Sequence, residues 1–275
     1  MVKILTMVKD ENDIVRDWVI YHGNLFGYKN LYVIDNYSND GTWEILQEFK
    51  GRINMFRLHN YKKKGEYMTY FLRRFCKNEL VFPIDIDEFI VYHHKKTNKI
   101  ICNKQFIHFY LNKLPVFPIF KMNYIQGLLT EKNGYQRAAV QSQLGVYDDR
   151  GTHAKVFLKS NLFHGVIDHG NHCITNNYLL SQLCLVHFHC RNLLQMKRKV
   201  FNNVIGLGYT PFNIGNLENT LQKNQGCPGN HHIRNQIALL KKVYRLPVST
   251  KQNNHILLEP LTNKIAHLTK KINKQ

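Results

Sequence analysis

The residues best suited to chemistry lie in one apolar segment, Val81-Phe82-Pro83-Ile84-Asp85-Ile86-Asp87-Glu88-Phe89-Ile90-Val91. Read as the end of a strand spanning Leu80 to Ile86, it sends Asp85 and Asp87 to one side and Ile84 and Ile86 to the other. Two carboxylates so close, in so apolar a run, repel one another and lose hydration, and a cation must compensate. A hard divalent ion such as Mn²⁺ or Mg²⁺, which accepts carboxylate oxygen, meets that need. A bare D-x-D is common and elsewhere caps turns or pairs with lysines; its placement here favours a metal. On this reading Asp87→Asn keeps the fold, and relief of the repulsion stabilises the metal-free protein slightly. Asp35 follows another apolar run and opens a polar turn, Asp35 to Thr42, where a capping Asp is the plainer reading. His187 and His189 lie two apart on a strand-like run and share one face.

The elements that must position these groups can be read from periodicity. Lys3 to Val8 is of strand type. Ile14, Val15, Trp18, Val19, His22, Leu25 and Phe26 recur at helical spacing up to Gly27. Strands follow at Leu31 to Ile34 and Ile53 to Leu58, with helices around Ile45 to Phe49 and Tyr67 to Phe75. Such alternation predicts a parallel, helix-covered α/β sheet whose ligands bind beyond the carboxyl ends of the strands, where Asp35, Asp85 and Asp87 fall. From Pro115 to His189 the runs are shorter and strand-like (Val116 to Met122, Tyr135 to Gln141, Lys155 to Leu158, Leu183 to His189). Long helices return at Arg191 to Val204 and Ile233 to Tyr244. The expected organisation is a catalytic domain over 1–205, with halves 1–92 and 93–205, followed by a basic helical extension over 206–275.

Four segments together carry a family resemblance. Asp85-Ile86-Asp87-Glu88-Phe89 resembles the D-x-D-E-F signature of inverting glycosyltransferases related to families 2 and 92. Val8-Lys9-Asp10-Glu11 with Trp18-Val19-Ile20-Tyr21-His22 is similar to that group's opening, with Asp10 in place of the usual Asn. Asp35-Asn36-Tyr37-Ser38-Asn39-Asp40-Gly41-Thr42 is similar to its D-N-x-S-x-D-G-T turn. Leu185-Val186-His187-Phe188 with Arg191-Asn192 resembles its late H-Y-x-x-K-S element, departing at Phe188 and Asn192. The matches span roughly residues 2 to 200.

The resemblance implies a GT-A fold: a Rossmann-like nucleotide-binding half, a mixed acceptor-side half and C-terminal helices. It implies a nucleotide-sugar donor, with UDP favoured, and a glycan, glycoprotein or small hydroxyl acceptor. Asp35 would meet the nucleotide base or ribose, Asp85 the ribose or the metal, and Asp87 the metal directly. His187 takes the place of the late histidine that GT-A enzymes recruit as a metal ligand, and Lys155 matches a family lysine. Arg73 and Arg74, on the helix before the acids, are placed to reach a phosphate or to form a surface ion pair. An inverting displacement needs a general base on the acceptor side; Asp148, Asp149 and Glu131 are the loop carboxylates available there, and nothing in the sequence ranks them.

Composition sets the outer bounds. Thirty-eight Lys and Arg against 19 Asp and Glu give a net charge of +19, a field that attracts polyanions. Lysine is spread along the chain without aromatic interleaving, so no specific nucleic-acid site is expected. The Lys62-Lys63-Lys64 run reads as a solvated face. The six cysteines show no C-x-x-C spacing and read as reduced thiols. The opening apolar run is too short for a signal peptide, and no stretch reaches the ~20 apolar residues of a membrane span; a soluble, cytoplasmic protein is expected. The rival classes are a metal-dependent nuclease or nucleic-acid-binding protein, a nucleotidyltransferase and an inactive sugar-binding relative. A nuclease has no need of the Asp35 turn, a nucleotidyltransferase usually has a Gly-rich loop after its first strand, and the intact acids argue against an inactive relative.

Overall fold

The computed structural model describes residues 1–128, 144–148, 154–171, 177–189, 191, 193–223, 230–244 and 255–272. Its first half follows the expected alternation. Strand β1 (Val2–Val8) leads to α1 (Val15–Phe26), β2 (Leu31–Asp35), α2 (Thr42–Gln47), β3 (Asn54–Arg57), α3 (Lys64–Phe75) and β4 (Leu80–Pro83). β1 pairs in parallel with both β2 and β4, and β2 with β3. These strands are apolar on successive positions because helices cover both faces. Trp18, Leu25 and Phe26 of α1 pack with Ile4, Val33 and Phe82 on one face. Met68, Phe71 and Leu72 of α3 pack with Leu5, Met7 and Ile34 on the other. Gly27, at φ +92°, ends α1 in a conformation that few side chains tolerate.

The second half is mixed. It comprises β5 (Glu88–His94), β6 (Lys99–Ile101), α4 (Lys104–Asn112), β7 (Ile119–Gly127), β8 (Leu144–Tyr147), β9 (Lys155–Lys159) and β10 (Leu179–His187). The path through the sheet is β3-β2-β1-β4-β9-β7-β10-β5-β6, with β8 on β7. β7 and β10 are parallel, whereas β9 runs antiparallel to β4 and β7, and β5 antiparallel to β10. The order 3-2-1-4 places a topological switch between β1 and β4, where α/β sheets bind ligands. A Rossmann-like parallel half joined to a mixed half is the expected GT-A arrangement.

Among the described residues three helices follow: α5 (Leu193–Gly206), α6 (Ile214–Lys223) and α7 (Asn230–Leu240). Val204, Leu217 and Ile233 form a small core between them. β11 (His255–Leu257) and α8 (Glu259–Ile272) complete the chain. After residue 206 the described residues form α6, α7, β11 and α8, and the last two pack against the main sheet and core. β11 pairs with β8, and Ile256, Leu258, Leu261 and Ile265 belong to the main core beside α1. Cys76, Cys102 and Cys184 are free and buried, and burial pushes each thiol up to about 12. No helix among the described residues is long and apolar enough to cross a membrane.

Candidate active site

The acidic segment departs from its expected geometry. β4 stops at Pro83, and Ile84 to Asp87 form a turn before β5. Pro83 has no N–H for continued pairing, and the buried Glu88 carboxylate accepts the Asp85 N–H at 2.8 Å, which folds the chain back. Strand alternation therefore does not govern the two acids, and they reach different partners.

Asp85 is enclosed by donors. Lys64 Nζ lies 2.7 Å from its Oδ1 and Asn171 Nδ2 2.8 Å from the same oxygen, while Lys155 donates to Oδ2. Burial alone would push its carboxyl up, but Lys155 and Lys64 hold it well below the usual carboxylate range. Lys155 also lies 3.0 Å from Glu88 Oε1, which accepts the Tyr124 hydroxyl at 2.6 Å. Lys64 is thus no solvated residue. Lys62 and Lys63 are exposed, but Lys64 opens α3, and Gly65 beside it lets that helix approach the 167–168 backbone.

Asp87 is 2% exposed and faces the helical end of the chain. Lys199 of α5 donates to its Oδ2, with His187 Nε2 at 3.4 Å and Arg191 at 3.8 Å from that oxygen. Burial opposes the charge, yet Lys199, His187 and Arg191 hold its carboxyl well below the normal range. The wholly buried Arg191 also bonds Glu11, Asp13 and the Phe188 carbonyl. Gln195 adds a 2.9 Å bond to Glu11. The loop after β1, the acidic turn and the end of β10 are thereby tied together at the switch point.

His187 ends β10, and its ring stacks on Tyr124 with centroids 4.9 Å apart. His189 lies beside it at 5.1 Å, and burial keeps its imidazole neutral, its pKa well below the ordinary value. Ligand atoms of Asp87, His187 and His189 all fall within 4.8 Å of one another. Two imidazole rings and a carboxylate form a donor set that fits a first-row divalent ion better than Mg²⁺. Asp85, expected to share the metal, stands outside this group with its lysines.

The turn after β2 builds the other end of the site. Asp35, wholly buried, accepts the Ser38 N–H at 3.2 Å and Arg57 Nε at 2.8 Å. The Arg57 guanidinium lies over the Tyr37 and Trp43 rings. Tyr37, held at φ +54°, stacks on His59 with centroids 3.5 Å apart. Asn36, Tyr37, Asn39, His59 and Asn60 line a cleft of about 710 Å³ whose far wall is Ile205 and Gly206 of α5.

Other expected residues fall elsewhere. Arg73 lies exposed in the last turn of α3, donating to the Gly165 carbonyl and lining a separate basic cleft with Arg74 and Lys77. Nine residues of helix put it ~13 Å along the axis from Lys64. Asp148 follows β8, with its N–H on the Tyr124 carbonyl at 2.9 Å. Asp149 and Glu131 lie outside the described residues, as does the run expected at Tyr135 to Gln141. The reading missed Glu11, Lys64, Asn171 and Lys199. The usable signal was in α5, where Gln195, Arg198, Lys199 and Asn202 recur at i, i+3, i+4 and i+7 on one face.

Comparison with known proteins gives a partial likeness. No family profile matches the chain. A glycosyltransferase family 92 protein of rice, Oryza sativa subsp. japonica, is 34% identical over 91 residues, covering 32% of this chain and 15% of the rice protein. Among solved structures, S. aureus TarS 1–349 superposes with a TM-score of 0.40 at 10% identity, over 97% of this chain and 83% of that one. Its complex with UDP-GlcNAc gives 0.39 at 10% identity, over 87% and 71%. The Mycobacterium tuberculosis glucosyl-3-phosphoglycerate synthase, in complex with Mn²⁺, UDP-glucose and phosphoglyceric acid, gives 0.38 at 10% identity, over 76% and 80%. In sequence, then, this α/β chain is similar to a family 92 glycosyltransferase over about a third of its length.

Proposed function

We propose that the chain is a glycosyltransferase that moves a sugar from a UDP-sugar to a hydroxyl acceptor by inverting single displacement. The observation that carries this reading is the convergence of Asp87, His187 and His189 at the switch point, beside the cleft after β2. The likeness to a family 92 protein supports it. Asp35 and the Tyr37–His59 pair would receive the nucleoside, the ring pair offering a flat face for the base. The diphosphate would then run along α5 toward Asp87. Mn²⁺ held by Asp87, His187 and His189 would offset the negative charge that builds on the leaving diphosphate. Lys64 and Lys155 hold Asp85 ionised and fixed, so that its carboxylate can accept a ribose or sugar hydroxyl. The acceptor proton goes to a carboxylate on the other half, for which Asp148, Asp149 and Glu131 stand as candidates.

The test is calorimetry with UDP in Mn²⁺ and in chelator, followed by UDP release from a panel of UDP-sugars. Binding that requires Mn²⁺ is expected. Equal affinity in chelator would remove the metal role, and absence of UDP binding under both conditions would remove the donor assignment.

A further inference from the structure

Helix α5 lies across the carboxyl edge of the sheet, and its inward polar face is fully engaged by acids from three loops. Gln195 bonds Glu11, Arg198 bonds Asp40, Lys199 bonds Asp87 and Asn202 bonds Asp10. Lys199 differs from the others in its target. Its ammonium sits on Asp87 Oδ2, the same oxygen that lies 3.4 Å from His187 Nε2. Asp87 and His187 are two of the three residues whose ligand atoms converge. The oxygen best placed for a metal is therefore already held by a tethered cation.

We propose that Lys199 and a divalent ion are alternative occupants of the Asp87 carboxylate. Without metal, Lys199 supplies the positive charge that this buried acid requires. When a metal enters, two cations cannot share one carboxylate oxygen at contact distance, because their repulsion in a poorly solvated site is strong. The lysine then leaves Asp87, and its next partner is the Glu11 carboxyl, whose Oε1 already lies 3.9 Å from Nζ. Lys199 thus weakens metal binding by competition, and metal entry is coupled to the position of α5. The idea rests on the metal site proposed above.

The experiment compares wild type with Lys199→Met, which keeps the aliphatic stem and removes the cation. Mn²⁺ binding is read from the electron paramagnetic resonance of the free ion, and melting is measured in chelator. Loss of a charge-assisted bond to the competing cation should tighten Mn²⁺ binding by roughly tenfold or more, while metal-free Lys199→Met melts below wild type. Lys197→Met removes the same charge from an exposed position of the same helix. Solvent and salt screen that site, so it should change Mn²⁺ affinity by less than about threefold. Lys199→Gln serves as an independent variant with the same expectation should the Met protein be unstable. Unchanged or weaker Mn²⁺ binding in the Lys199 variants, an equal effect of Lys197→Met, or no Mn²⁺ binding in any protein would each overturn the proposal. UDP binding separates the two ideas. Mn²⁺-dependent UDP binding with unchanged metal affinity in Lys199→Met sinks the competition alone, whereas UDP that never binds sinks the donor reading as well.

Discussion

Asp87→Asn is the perturbation with the largest expected consequence, and the structure reverses one part of what the sequence led us to expect. Two mutually repelling carboxylates would make the neutral Asn slightly stabilising in the metal-free protein. Asp85 and Asp87 instead face different cations, and Asp87 is the acid on which Lys199 and, at longer range, Arg191 converge. Asn leaves both with less compensation in a site that is 2% exposed at residue 87. Breaking a buried ion pair outright costs about 3–5 kcal/mol. Arg191 keeps Glu11 and Asp13, and Lys199 keeps Glu11, so the loss should come to about 2 kcal/mol. At about 2–4 °C per kcal/mol, the metal-free melting temperature should fall by about 4–8 °C. Transfer should fall at least about a thousandfold, since the leaving diphosphate loses ~4 kcal/mol of charge stabilisation. Melting curves in chelator and donor turnover in Mn²⁺, measured on the same preparations, check both numbers. An Asn variant that melts with wild type and turns over within a few-fold of it would refute both the pairing and the assignment.

Three further substitutions probe the framework around the acids. Lys155→Met strands the Asp85 and Glu88 carboxylates beside an apolar group and should cost about 3 kcal/mol at pH 7. Asp85 ionises below its unfolded value, so the stability it confers is lost on acidification below about pH 4; urea denaturation should show wild type and variant converging there. His22 accepts the Ile90 N–H at 3.3 Å through Nε2 and bonds the Trp18 carbonyl at 3.0 Å through Nδ1, an arrangement open only to the neutral ring. Burial pushes its pKa down to about 3, so the unfolded chain gains a proton near pH 6.5 and the folded chain does not, and stability falls with pH across that window. His22→Leu should remove that part of the pH dependence and cost about 1–3 kcal/mol through the orphaned Ile90 N–H, as read from denaturant midpoints between pH 7 and 4. Gly65→Ala would place a methyl 2.7 Å from the Ile167 carbonyl oxygen, and the melting temperature should drop by an amount equivalent to about 1–3 kcal/mol.

What the sequence made legible was local. Each parallel strand of the first half is a short apolar run, because both of its faces are covered, and each helix has a repeating apolar stripe. Both signals survive in one dimension. The end of β4 was misplaced by three residues, since the fold-back depends on Glu88 capping the Asp85 N–H, and an acid directly after a D-x-D can equally continue a strand. The opening motif was recognised by resemblance; its Glu11 belongs to the site, and its Tyr21 and His22 do structural work. Tyr21 and His22 grip the carbonyl and N–H of Ile90, holding the strand that follows the acids. Lys64 was taken with its exposed neighbours, because nothing in a lysine run distinguishes the one that faces inward. The ties from Arg191 to Glu11 and from Lys199 to Asp87 join positions 180 and 112 residues apart, and pairs so separated leave no periodic trace.

Those long-range ties also bear on why the donor would need an added cation. Around the acidic turn, Glu11, Asp13, Asp85, Asp87 and Glu88 are met by Lys64, Lys155, Arg191 and Lys199. Among the described residues five carboxyl groups, one of them Glu11 that burial raises to about 7, face four cations and leave no surplus of positive charge, although the chain as a whole carries +19. A diphosphate entering this cluster brings further negative charge into a poorly hydrated place, where an unmatched charge is costly. The lysines are no free reserve, because each that turns to the phosphate uncovers the acid it now serves. A divalent ion on Asp87, His187 and His189 would resolve both demands together: it would take over Asp87 and free the Lys199 ammonium for the other anions of the crevice. On this account diphosphate and metal bind with positive coupling, each raising the affinity for the other by the same factor. Titrations of UDP at several Mn²⁺ concentrations, and of Mn²⁺ at several UDP concentrations, should yield that common factor. Independent affinities would show that the cluster accommodates the diphosphate with its own lysines.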